Sequence, residues 1–170
     1  SISDTSRQKR QGDLEGKDYY FLSEKDFKDK IKKEEYVEYA TVFGNFYGTS
    51  KEEIKTKYNN SNLVLELDWQ GAYAVKELFD DARLIFLVPP SLDDLKQRLI
   101  KRNLDSSEAI ENRLSEAKKE ISKSEMYDYL VLNDDFDKAF EDLSQILFEG
   151  ISPIDFNSRA SKDLIKRLVE

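Results

Sequence analysis

Glu38 and Asp68 are the carboxylates whose setting invites chemistry. Glu38 lies inside the apolar run YVEYATVF, and Asp68 ends the run LVLELD. Carboxylates at the carboxyl ends of parallel strands stand where α/β proteins build ligand sites, while exposure on an edge strand accounts for either residue as well. Glu66 precedes Asp68 by two positions. On a strand the two side chains share one face, which suits Mg2+ or a nucleobase. Tyr19, Tyr47 and Thr49 offer hydroxyl contacts. Arg7, Lys9 and Arg10, within SISDTSRQKR, read as a solvated basic loop or as an anion clamp, because guanidinium groups match phosphate oxygens bidentately. Arg102 and Arg113 sit on a strongly charged helical stretch. Surface ion pairing with nearby Glu side chains and closure over transferring phosphates both fit them.

The composition narrows the chemistry further. The chain contains no Cys and no His, which removes thiol nucleophiles, disulfides and Cys/His zinc sites. A net charge of -8 argues against a broad nucleic-acid surface, yet a few arginines still make a local anion pocket in an acidic protein. At 170 residues with 39% hydrophobic and 12% aromatic content, one domain with a real core is expected. No apolar run is long enough for a membrane span and the amino end is polar, so a cytoplasmic protein without membrane contact is the expectation. None of the six glycines begins a G-x-x-x-x-G-K-[ST] phosphate loop. GNFYGTSK, at 44–51, comes nearest but misplaces Lys51.

These residues need elements to position them. Residues 1–17 read as loop and 18–22 (DYYFL) as a short strand. Ser23 with Asp26 opens a helix that turns Phe27 and Ile31 to one face. Residues 36–43 read as a strand, and Ser50 with Glu53 has the capping-box pattern of another helix. LVLEL (63–67), LIFLV (84–88) and YLVL (129–132) read as strands buried on both faces, and helices are expected at 72–78, from Ser91 through Leu99, at 107–124 and at 136–148. Buried strands alternating with helices mean parallel βαβ units. The charged helices between Val88 and Tyr129 read as a mobile flap, and residues 151–170 as a tail with a terminal helix.

Five blocks occur in order: SISDTSRQKRQGDLEGKDYYF, EYVEYATVFGNFYGTS, LVLELDWQGA, FLVPPSLDDLKQRL and YLVLNDD. Together they resemble the guanylate kinases of bacterial type over nearly all of residues 1–150. The resemblance implies a P-loop nucleoside monophosphate kinase fold: a three-layer α/β/α parallel sheet, a strand-rich GMP-binding insertion and a helical lid. By position it implies an entry loop at 1–17, a GMP-binding domain at 18–62, core at 63–90 and 125–150, a lid at 91–124 and a tail at 151–170. It assigns the GMP phosphate to Ser3, Arg7, Arg10, Tyr19 and Tyr47, and the guanine base to Glu38, Thr49 and Asp68. It places Glu66 near Mg2+, Arg102 and Arg113 on the phosphates as lid arginines, and Asn133 against the adenine of ATP. GMP or dGMP and ATP are the implied partners, with a homodimer left open. Two departures stand out. Ser6 occupies a position where Thr is common, and the family's opening strand, glycine loop and helix are not among these residues. The activity so implied is phosphoryl transfer from ATP to GMP, with these 170 residues expected to be inactive without the glycine loop. The alternative is a catalytically inactive phosphopeptide-binding module of the same fold.

Overall fold

The computed structural model describes residues 1–58, 62–102 and 106–169. Residues 59–61 of the expected GMP-binding segment, 103–105 of the expected lid, residue 170 and the side chain of Arg102 lie outside the described residues. The chain divides into two compact units, Ser1–Ala82 and Arg83–Glu170.

The first unit is built on a four-stranded sheet. β1 (Asp4–Thr5) runs parallel to β2 (Tyr20–Phe21) and antiparallel to β4 (Asn45–Ser50), which forms a hairpin with β3 (Tyr36–Val42). Between β2 and β3 lies α1 (Glu24–Lys32). Ser23 caps it as the sequence predicts, its hydroxyl accepting the Asp26 N–H at 3.0 Å, and acidic residues open the helix while lysines close it, each matching the helix dipole. α1 presses Phe27 flat between Tyr36 and Phe46, at ring-centroid distances of 4.6 and 5.3 Å. Gly48 makes room for that ring: a Cβ there would lie 3.1 Å from Phe27 and 3.0 Å from the Tyr39 Cβ.

The same face buries an ion pair. The Asp4 carboxylate, 3% exposed, accepts from Lys30 Nζ at 2.5 Å and from the Tyr36 hydroxyl at 2.8 Å. A buried carboxylate left with fewer donors is costly. Tyr36→Phe is therefore expected to lower unfolding stability by about 1–2 kcal/mol, read from urea denaturation. A variant as stable as the parent would show that Lys30 alone satisfies Asp4.

α2 (Lys51–Lys57) follows β4, and Ser50 accepts the Glu53 N–H as expected of a cap. Glu53 does not complete a reciprocal box; its Oε1 accepts the N–H of Ile2 instead, at 2.7 Å. α3 (Trp69–Leu78) starts earlier than the apolar periodicity suggests, directly after Asp68.

The expected strand at 63–67 is not present as a strand. The segment alternates between half-buried and exposed residues, with Val64 58% exposed, and it pairs with no strand among the described residues. Apolar composition supplies a reason to be buried but not a hydrogen-bonding neighbour, and a strand needs both.

The second unit is α/β. β5 (Ile85–Val88) and β6 (Tyr129–Leu132) pair in parallel, with α4 (Leu92–Arg102) and α5 (Ser107–Ile121) between them in the chain. Val88 and Leu130 pack with Ile121 of α5 and with Leu168 of α7 (Arg159–Val169). Val131 packs instead with Ala139 of α6 (Phe136–Ser144) and with Ile146 in the widened turn that continues it. Successive residues of β6 thus feed two cores, the arrangement that a strand buried on both faces requires, whereas β5, expected to be buried likewise, turns Val88 inward and leaves Leu87 49% exposed. The terminal stretch is consequently structural, since Leu168 is 2% exposed. No helix among the described residues is long and apolar enough to cross a membrane.

Candidate functional site

The hairpin β3–β4 carries the site on the face away from α1, and a bulge decides which residues stand there. Tyr36 pairs with Ser50, but Glu38 pairs with Thr49, so Val37 is an extra residue in β3. Directly paired residues share a face, and an extra residue reverses the alternation. Tyr36 therefore joins Phe46 and Gly48 toward α1, whereas Glu38 joins Thr49 and Tyr47 on the opposite face.

Glu38 is 5% exposed and Thr49 fully buried. Neither Glu38 Oε1 nor Thr49 Oγ1 has a hydrogen-bond partner among the described residues. Burial pushes the Glu38 carboxyl above its ordinary range, and the charge of Asp68 adds to it; the Thr49 hydroxyl and N–H lie close enough to oppose this in part, although the hydroxyl makes no hydrogen bond of ordinary geometry. Unsatisfied buried polar atoms are rare and costly. Here two of them, a carboxylate oxygen and a hydroxyl, occupy neighbouring positions on one face. Asp68 borders them as the N-cap of α3, one oxygen accepting from Gly71 N–H at 3.0 Å and the other from the Gln70 side chain at 2.9 Å.

Two residues along β4 from Thr49, the Tyr47 ring meets Tyr19 edge to face at 5.9 Å. Arg7 stands over the Tyr19 and Phe21 rings, at 5.3 and 5.5 Å to their centroids. Its guanidinium lies 3.0 Å from Asp13 and donates to the Gln8 carbonyl. Asp13 also accepts the backbone N–H of Arg10 at 2.8 Å. That bond, followed by the Arg7 guanidinium, holds the Asp13 carboxyl below its ordinary value against some desolvation. The loop carrying both arginines is thereby tied to itself. Burial chiefly, then the charges of Glu66 and the Tyr47 oxygen, raise the Tyr19 hydroxyl.

Of the residues singled out by sequence, Arg7, Tyr19, Tyr47, Glu38, Thr49 and Asp68 come together in the first unit. Ser3 is half-buried beside them, its carbonyl accepting the Tyr20 N–H at 3.0 Å. Arg10 is exposed on the same loop. Ser6, despite its departure from Thr, fastens that loop: its hydroxyl accepts the Phe46 N–H at 2.8 Å. Glu66 and Asp68 attend to different ends of the site, Glu66 acting on Tyr19 and Asp68 on Glu38. With no strand at 63–67, no strand pairing among the described residues fixes the Glu66 and Asp68 side chains to one face. In the second unit Arg113 is half-buried on α5, and Asn133 follows β6 with its N–H donated to the Val88 carbonyl at 2.8 Å. Arg102 ends α4.

Asp13 was invisible to spacing alone, because its partnership with Arg7 depends on the turn that brings residue 13 back to residue 10. For a metal, no cluster of three acidic side chains exists among the described residues. Mg2+ held jointly with phosphates needs only one or two protein carboxylates, and exposed Glu66, near the arginine–tyrosine end, fits that donor set.

A family model described as guanylate kinase matches residues 1–150. The guanylate kinase of Hahella chejuensis is 48% identical over 147 residues, covering 86% of this chain and 71% of that protein. That of a Wolbachia species (subspecies Brugia malayi) is 45% identical over 149 residues, covering 86% and 76% respectively. The Coxiella burnetii guanylate kinase is 40% identical over 171 residues, with coverage of 100% and 83%. The crystal structure of guanylate kinase from Anaplasma phagocytophilum aligns with a TM-score of 0.76 at 32% identity, over 100% of this chain and 85% of that one.

Proposed function

The chain belongs to the guanylate kinase family, with its P-loop nucleoside monophosphate kinase fold, and from that premise we propose that it transfers a phosphoryl group from ATP to GMP, giving ADP and GDP, with Mg2+. The observation that carries the reading is the orphaned pair Glu38 Oε1 and Thr49 Oγ1. Guanine presents N–H donors at N1 and N2 that a carboxylate accepts, and an O6 that a hydroxyl meets. Adenine presents the reverse pattern and would leave a buried charge unpaired. Asp68 is the second acceptor at the base end.

Arg7, Arg10, Ser3, Tyr19 and Tyr47 take the monophosphate. Its dianion replaces the electrostatic role that Asp13 fills for Arg7. Glu66 would hold Mg2+, which would supply positive charge to offset that of the phosphates. Arg102 and Arg113 are proposed to meet the transferring phosphates, and Asn133 the adenine of ATP. In this reading the 18–62 segment binds GMP and the 91–124 helices form the lid. No covalent intermediate is required, because positioning and charge stabilisation supply most of this catalysis.

Binding is the decisive readout, since the sequence holds no G-x-x-x-x-G-K-[ST] loop to seat a triphosphate. Calorimetric titration should show GMP bound at least about tenfold more tightly than AMP, the equivalent of one hydrogen bond to a charged group. Equal affinities would remove the guanine assignment.

A further inference from the structure

Gly71 touches the base end of the site without offering it a side chain. It lies buried in the first turn of α3, and a Cβ built on it would stand 2.7 Å from Glu38 Oε2 and 3.3 Å from Glu38 Cδ. The third neighbour, Leu67 Cβ, lies at an ordinary 3.4 Å. The obstruction is therefore almost entirely the Glu38 carboxylate. Carbon and oxygen do not approach to that distance, so any larger residue at 71 must push the carboxylate away.

Two features make this a matter of specificity and not only of packing. The space left by Gly71 lets the Glu38 carboxylate lie directly against the first turn of α3, so its position depends on what residue 71 carries. The other contact of Gly71, its N–H donated to Asp68 Oδ1 at 3.0 Å, belongs to the backbone and survives substitution by alanine. A change at 71 therefore reaches one guanine-reading carboxylate and spares the other. Conformation does not demand glycine there either, because residue 71 is helical and alanine is the better helix former.

We propose that Gly71 is a specificity-determining positioning residue: the missing side chain at 71 seats the Glu38 carboxylate where it can accept from a guanine base. The proposal rests on the site reading above.

The test is a double-mutant cycle on the whole chain. GMP and AMP are titrated into the parent, Gly71→Ala, Glu38→Ala and the double variant, and each protein is melted without ligand. Gly71→Ala should weaken GMP roughly tenfold or more, the loss of a hydrogen bond to a charged group, and leave AMP within about twofold. On the Glu38→Ala background the same change should leave GMP within about twofold and raise the melting temperature by a few degrees, since the helix gains alanine and the obstruction is gone. If Gly71→Ala folds poorly, adding Glu38→Asp, one methylene shorter, should restore folding and part of the GMP preference.

Unchanged GMP affinity in Gly71→Ala, equal losses for GMP and AMP, or equal losses on both backgrounds would overturn the proposal while the parent still prefers GMP. Failure of the Glu38→Asp rescue would overturn it too. A parent without GMP preference would instead overturn the site reading, and this assignment with it.

Discussion

Arg7→Ala is expected to weaken GMP by about a hundredfold, the worth of two charge-assisted hydrogen bonds, while guanosine binding moves by no more than about threefold. The effect should exceed that of Arg10→Ala, for a reason visible in the loop. The Arg7 side chain is 12% exposed, paired with Asp13 and laid over two aromatic rings, so its guanidinium loses little freedom when phosphate arrives. Arg10 is exposed and must be ordered at that moment, which costs side-chain entropy. Arg7→Ala also leaves Asp13 as an unneutralised negative charge beside the phosphate. Arg7→Lys should recover only a small part of the loss, because an ammonium cannot make the bidentate contact. Titration of GMP and guanosine into the three variants checks this. If Arg7→Ala still distinguished the two ligands as fully as the parent, the phosphate would be held elsewhere.

Glu38→Gln is expected to act in opposite directions on binding and on stability. GMP should weaken by about 1–3 kcal/mol, since the amide can no longer accept from both guanine N–H groups as a carboxylate does. Stability should rise at neutral pH. Burial raises the Glu38 carboxyl above its ordinary value of 4.5, so the folded protein holds that proton more firmly than the unfolded chain. The contribution of Glu38 to stability is then fully present below the unfolded value. It is lost as pH climbs toward the raised folded value. Glutamine has no proton to lose. The melting temperature of the variant relative to the parent should accordingly grow from about pH 4 upward and level off once Glu38 is ionised in both states. A difference that narrows with rising pH would mean that Glu38 is stabilised as an anion by contacts beyond Thr49. The carboxylate proposed to read the base would thus weaken the fold carrying it, a common cost of a preformed polar site.

Much of the local architecture is legible without coordinates. Ser23 and Ser50 were identifiable as caps because a cap involves only residues three apart. LIFLV and YLVL could be read as strands because their runs are continuous and bounded by Pro89 and by Asn133 with two aspartates; burial on both faces holds for YLVL, whereas Leu87 of LIFLV is 49% exposed. The ordered blocks pointed to the family, and with it to Arg7, Tyr19, Glu38, Tyr47, Thr49 and Asp68, which the first unit does gather on one side of its sheet.

What only tertiary structure decided are the features that depend on partners distant in sequence. LVLEL has the composition of a strand but finds no strand neighbour among the described residues, and pairing is not encoded in composition. The alternation of YVEYATV would put Tyr36 and Glu38 on the same face; the bulge at Val37 separates them, one toward Phe27 and the other toward the site. Register is set jointly by two strands, so neither strand's pattern reveals it alone. Asp13 reaches Arg7 only through a turn, and Gly71 matters only because Glu38 arrives beside it from another element. Residue types and short spacings determined which groups were available for chemistry. Long-range packing determined which of them remained unsatisfied, and those are the groups a ligand can complete.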